Sequence, residues 1–159
     1  MKIDQKDNQI IRELQRNGRL TNIELAERVS LSPSPCLRRV RQLEKNGVIK
    51  GYTALIDQTA YGVPLTVFIS ITLDTHSKNS VSEFEAQVGR LAQVMDCYLT
   101  TGDADYILRV VVADLASYER FVRKDLHPIK GIRSIDTRFA YGIVKQAHIY
   151  PAGLSKLRS

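Results

Sequence analysis

Ser34, Arg38, Arg41 and Lys45 recur about once per turn if the segment LSPSPCLRRVRQLEKNG, residues 31–47, is helical. At 100° per residue a hydroxyl, two guanidiniums and an ammonium then share one face. Cys36, Val40 and Leu43 share the other, with Leu37 at its edge and Arg39 flanking the stripe. Such a polar face suits a polyanion: arginine reads guanine bidentately in a major groove, and serine or lysine holds phosphate. The plain alternative is a solvated charged face. Glu44 is the single acid on this helix, however, so the cations are not laced into neutralising pairs. A second constellation is TGDADY, residues 101–106, where Asp103 and Asp105 follow Gly102. Two carboxylates there could accept from a ligand's ammonium, or the stretch could be an ordinary polar hairpin turn. As a catalytic pair they lack a histidine, cysteine or further acid nearby in sequence. His76, His127 and His148 have no metal-ligand spacing, and no phosphate-cradling glycine loop is present.

The prolines of the first segment decide whether that helix exists. With Ser32 as N-cap, Pro33 is its first residue and Pro35 its third. The first amides of a helix have no internal partner, so a missing N–H costs little there, and proline arrives with φ already set. The helix should end near Asn46, with Gly47 in the left-handed cap. Two helices precede it. Asp4 caps one that carries Ile10, Ile11 and Leu14. TNIE, Thr21 to Glu24, is a capping box for another that buries Leu25, Ala26 and Val29. A capped helix, a short turn and a basic helix together match a helix-turn-helix. VIKGYTALID, residues 48–57, is compatible with an extended wing.

Charge placement agrees. The chain of 159 residues has a formal charge of +6, of which +5 lies in residues 1–52 and +1 in the remainder. A basic module on a near-neutral body points to a polyanion at one end only. A hydrophobic content of 43% can build a real core. The longest apolar run, Val63 to Leu73, is too short and too polar to span a membrane. The N-terminus lacks an apolar signal core, so a cytoplasmic location is expected. Cys36 and Cys97 read as reduced, buried small hydrophobes.

From Thr66 the period changes to two. Val67, Ile69, Ile71 and Leu73 mark a strand; SVSE, Ser80 to Glu83, should open a helix; Met95, Cys97 and Leu99 mark a second strand; DYILRVVVA marks a third. Asp114 can cap a second helix, and Ile135 to Ile143 alternate as a fourth strand. The order βαββαβ is ferredoxin-like, an α+β arrangement with both helices on one face of an antiparallel sheet. The uncovered face should be apolar and should pack against a second copy.

These residues resemble the Lrp/AsnC (feast/famine) family of prokaryotic transcription regulators over nearly the whole chain. The marks are NGRLTNIELAERVSLSPSPCLRRVRQLEKNGVIKGYTALID and TGDADYIL. The resemblance implies a winged helix-turn-helix over 1–52, a wing strand and linker over 53–64, a ligand-binding and oligomerisation domain over 65–145, and a tail over 146–159. It implies a regulator of transcription that binds double-stranded DNA and needs no cofactor. A small effector, in most members an amino acid, binds between neighbouring dimers, which often assemble into tetramers or octamers. The DNA-contacting set is then Thr21, Ser32, Ser34, Pro35, Arg38, Arg39, Arg41 and Lys45. In the effector loop, Gly102, Asp103 and Asp105 match ligand-receiving positions, with Asp105 opposite the ligand's ammonium and amides near Thr101 and Gly102 opposite its carboxylate. Leu99, Leu115, Thr137 and Phe139 match pocket-lining positions, and Ala104 stands where the family often has a larger residue. A ligand-independent DNA-compacting protein is the rival from another class. A tetrapyrrole decarboxylase-like enzyme is a further one, since relatives of this architecture include such enzymes.

Overall fold

The computed structural model describes residues 2–151. Of the expected tail, residues 152–159 lie outside the described residues. The chain divides into two units, one running to Leu55 and taking in the segment from Lys145, the other Ile56–Val144.

The first unit starts with helix α1, Gln5–Arg16. Asp4 caps it, accepting from the Asp7 amide at 2.8 Å while Asp7 accepts from the Asp4 amide at 3.1 Å. Helix α2, Asn22–Arg28, opens on the Thr21–Glu24 capping box. Helix α3, Pro33–Lys45, has Ser32 as its N-cap. Ile10, Leu25, Ala26, Val29, Cys36 and Leu43 form the buried centre of this unit. The end of α3 is a Schellman motif. Gly47 has φ +69°, its amide donates to Glu44 O at 2.9 Å, and the Val48 amide donates to Leu43 O at 2.9 Å.

The wing is not a strand. No main-chain to main-chain hydrogen bond involves Lys50–Ile56 among the described residues, and Leu55 and Ile56 are exposed. A strand exists only beside a hydrogen-bonded partner, and among the described residues this segment has none. The following stretch is a built turn, not a free linker. The Asp57 carboxylate accepts from the Ala60 amide at 2.6 Å, and the Gln58 carboxamide donates to Val63 O and Thr66 Oγ1.

The second unit is β1 Leu65–Leu73, α4 Lys78–Val88, β2 Val94–Leu99, β3 Tyr106–Val112, α5 Leu115–Phe121 and β4 Ile132–Ala140, with one π-helical turn at Val122–Leu126. The antiparallel sheet has the order β2-β3-β1-β4, the ferredoxin-like arrangement expected. Val67, Ile69, Ile71, Leu73, Leu108 and Val110 are buried in one core with Phe84 and Phe121 of the helices.

Two boundaries move. Helix α4 begins one turn before the expected SVSE box, because Ser77 accepts from the Ser80 amide and becomes the cap. Strand β4 ends at Ala140 rather than Ile143. Ala140 stands opposite Thr66, next to the first residue of β1, so its ladder runs out; Tyr141 and Ile143 are exposed. Cys97 is exposed on edge strand β2, whereas Cys36 is buried. The uncovered sheet face is also less apolar than its strand pattern suggested. Phe68, Tyr98, Ile107 and Val111 share it with the ion pairs Asp96–Arg109 and Asp136–Arg138.

Candidate nucleic-acid interface and effector site

Helix α3 turns its polar face outward. Ser32, Ser34, Arg38, Arg41 and Lys45 are exposed, and Pro35 is half-buried. The Ser32 hydroxyl makes no capping bond. The cause is local: a cap bonds the amide of the second or third helical residue, and the third is Pro35, which has none. The hydroxyls of Ser32 and Ser34 thus stand at a helix N-terminus, where the macrodipole favours phosphate. Asn22 braces this corner, its Nδ2 donating to Pro33 O at 2.9 Å. The hydroxyl of Thr21 is committed to Glu24. Glu44, the acid on the helix, accepts from the Tyr52 hydroxyl at 3.0 Å. Loss of solvation, with that bond, pushes the Tyr52 phenol up to about 12.

Arg39 does not join this face. Its guanidinium donates to Asp4 Oδ2 at 2.7 Å and Asp7 Oδ1 at 2.8 Å, and Asp7 is only 3% exposed. A buried carboxylate needs a cation, and Arg39 is the one within reach. It therefore ties α3 to α1, and its inclusion in the DNA-contacting set is revised to a structural role. The sequence held the signal: Asp7 occupies the apolar register of Ile10 and Leu14.

The loop of residues 100–105 joins β2 to β3. Gly102 has φ +112°, open to a side chain sterically but not conformationally. The Thr100 hydroxyl donates to Ala104 O at 2.8 Å, and the Asp105 amide donates to Ile71 O at 2.9 Å. Asp105 is already engaged. Its Oδ2 accepts from the Leu73 amide at 2.7 Å, and its Oδ1 lies 2.8 Å from His76 Nε2. The Leu73 N–H first, then His76, holds this carboxyl below the ordinary carboxylate range. Asp105 thus pins the loop to the end of β1. Asp103, in contrast, lines a cavity of about 410 Å³ on the open sheet face with Ser70, Thr72, Thr101, Asp136 and Arg138. His76, Asp136 and Arg138 are distant from this loop along the chain and belong to no local pattern, so the sequence does not attach them to it.

The remaining expected residues are not gathered by one chain. Leu99 sits on edge strand β2, whereas Thr137 and Phe139 sit on the opposite edge strand, β4. Three strand spacings, about 14 Å, separate those edges. The Thr137 hydroxyl bonds the Tyr118 hydroxyl, and the Phe139 ring meets the Tyr118 ring edge-on at 5.0 Å. Leu99, Leu115 and Phe139 are 73%, 64% and 45% exposed. Leu99 and Phe139, on opposite edge strands, cannot line one pocket within a single chain.

Comparisons with known proteins converge. Residues 66–149 match the model of the Lrp/AsnC ligand binding domain, and residues 3–50 match a winged helix-turn-helix DNA-binding model. The leucine-responsive regulatory protein of Salmonella typhimurium is 39% identical over 146 residues, 92% of this chain and 89% of that protein. Its Escherichia coli K12 counterpart is 38% identical over the same share. Among solved structures, a Neisseria meningitidis transcriptional regulator in complex with L-Met superposes with a TM-score of 0.88 at 36% identity, covering 94% of this chain and 97% of that one. An AsnC family transcriptional regulator from Agrobacterium tumefaciens gives a TM-score of 0.88 at 36% identity, with 93% and 96% covered.

Proposed function

The chain belongs to the Lrp/AsnC family of transcriptional regulators, and from that premise we propose that an amino acid binds at the 101–105 loop, in a pocket closed only when a second copy is present. The chain is a regulator of transcription with a winged helix-turn-helix that binds DNA and a domain built to bind a small ligand. The amino acid, the residues that meet it and the assembly are the proposal.

One observation carries it: the exposed apolar residues lie on opposite edges of the sheet, Leu99 on β2 and Phe139 on β4. Two copies set edge to edge bring one such edge of each together. Main-chain amides of Thr101 and Gly102 then meet the ligand's carboxylate. Asp103 supplies the uncommitted carboxylate for its ammonium, while Asp105, with its oxygens engaged, keeps the loop in place. The Neisseria regulator solved with L-Met supports an amino acid as the ligand class. On DNA, Ser32, Ser34, Pro35 and Lys45 face phosphate and Arg38 and Arg41 face bases, with Thr21 at the start of α2 near the same backbone. Dimers form over the open sheet face through Phe68, Tyr98, Ile107 and Val111, and larger rings arise from the edges.

The test is thermal stability of the full chain with each of the twenty amino acids at millimolar concentration. A ligand at a hundred times its dissociation constant adds about 2.7 kcal/mol, a shift of several degrees. At least one amino acid should produce it, and Asp103→Ala should abolish it. No shift from any of the twenty overturns amino-acid sensing.

A further inference from the structure

We propose that Gln42 is a base-reading residue of α3, its carboxamide specifying adenine one or two base pairs from the base read by Arg38.

Gln42 follows Arg38 by four residues, so the two side chains lie one above the other on the exposed side of the helix. Arg38, Arg41, Gln42, Lys45 and Asn46 line one open concavity of about 420 Å³. The groups around Gln42 are sorted by what they already bond. Asn46 has turned its own carboxamide back, its Nδ2 donating to Gln42 O at 2.6 Å. Glu44 accepts from Tyr52. Arg39 is held by Asp4 and Asp7. The Gln42 carboxamide has no hydrogen-bond partner among the described residues and is exposed beside three cations.

A free carboxamide has a specific use in a major groove. Its oxygen accepts from adenine N6 and its NH₂ donates to adenine N7, a bidentate match no other base offers. Four helical residues rise about 6 Å, and successive bases on a strand are about 3.4 Å apart. Arg38 and Gln42 therefore address positions one or two steps apart: a guanine for the guanidinium, an adenine for the carboxamide. Lys45, with its flexible charged end on the flank, suits phosphate. Glutamine is also a good helix former, which accounts for its tolerance on an exposed face. It does not account for its being the free carboxamide within the cationic cluster. The inference rests on α3 being the helix that enters the groove.

The experiment is selection of duplexes from a randomised pool by the full-length protein, followed by affinity measurement on the selected site and its single-base variants. Wild type should select sites with a fixed adenine in each half-site. Gln42→Ala should lose the preference at that position alone, with the selected site bound about 5- to 150-fold more weakly. Gln42→Glu should move the preference there to cytosine, whose N4 donates to a carboxylate. An unchanged selected motif with either variant overturns the assignment, as does a uniform loss of affinity on all sequences, the mark of a phosphate contact. A wild-type protein that selects no motif overturns the groove-entering role of α3 as well, which separates the two failures.

Discussion

Two neighbouring arginines, Arg38 and Arg39, have opposite fates. Arg38 is exposed and uncommitted, while Arg39 neutralises the buried Asp7. The substitutions should therefore separate. Arg39→Ala leaves Asp7 without its cation and should cost about 1–3 kcal/mol, the range for hydrogen bonds to charged groups. Arg38→Ala should change stability by no more than about 0.5 kcal/mol and cost about 1–3 kcal/mol of operator binding if it reads guanine. Denaturant titration and binding isotherms on one preparation check both. If Arg38→Ala unfolds earlier, or Arg39→Ala does not, the division of labour is wrong. Acid should narrow the contrast. The Asp7 amide first, and Arg39 after it, hold the Asp4 carboxyl below its ordinary value. A lowered folded-state pKa contributes stability that is present above the unfolded value and lost as pH falls through the folded one. Arg39→Ala removes part of that lowering and so has less stability to lose, and its deficit against wild type should shrink as the carboxyl protonates.

At the scale of elements, the prolines of α3 work as a start signal because the C-terminus is equally explicit. Gly47 at φ +69° closes the Schellman motif. A Cβ there meets nothing within 4 Å, so Gly47→Ala should cost only the left-handed backbone penalty, about 1–2 kcal/mol. A melting temperature that does not fall would mean that the cap is not holding the helix end. This unit was legible in sequence because its signals are local: capping boxes, N-terminal prolines, a C-terminal glycine and the 3.6-residue stripe each lie within a few residues. The sheet was legible in order but not in extent. Strand β4 stops where β1 begins, and the wing segment pairs with no described strand; both facts depend on partners distant in sequence. The effector site was the least legible. The loop could be placed from its residues, but the capture of the Asp105 carboxylate by Leu73 and His76 requires the end of β1 to arrive beside β3.

The whole molecule poses the question of assembly, because a lone chain leaves Phe68 41% and Tyr98 58% exposed on an open sheet face. Phe68 gives a way to separate folding from assembly. On β1 it stands directly opposite Arg109 of β3 on one side and Arg138 of β4 on the other. A carboxylate there meets two cross-strand cations, each such pair worth about 0.2–1 kcal/mol. Phe68→Glu should therefore fold. In a dimer packed over this face, the same carboxylate loses water, a cost of several kcal/mol. The variant should elute and sediment as a monomer with a melting curve still cooperative. Because a dimer engages two half-sites and a monomer one, its operator affinity should fall well beyond the effect of any single base contact. Its amino-acid response should vanish as well, since the edges that close the pocket no longer meet. A Phe68→Glu protein with the hydrodynamic size of wild type would remove the open sheet face from the assembly and leave the strand edges as the surfaces that bring copies together.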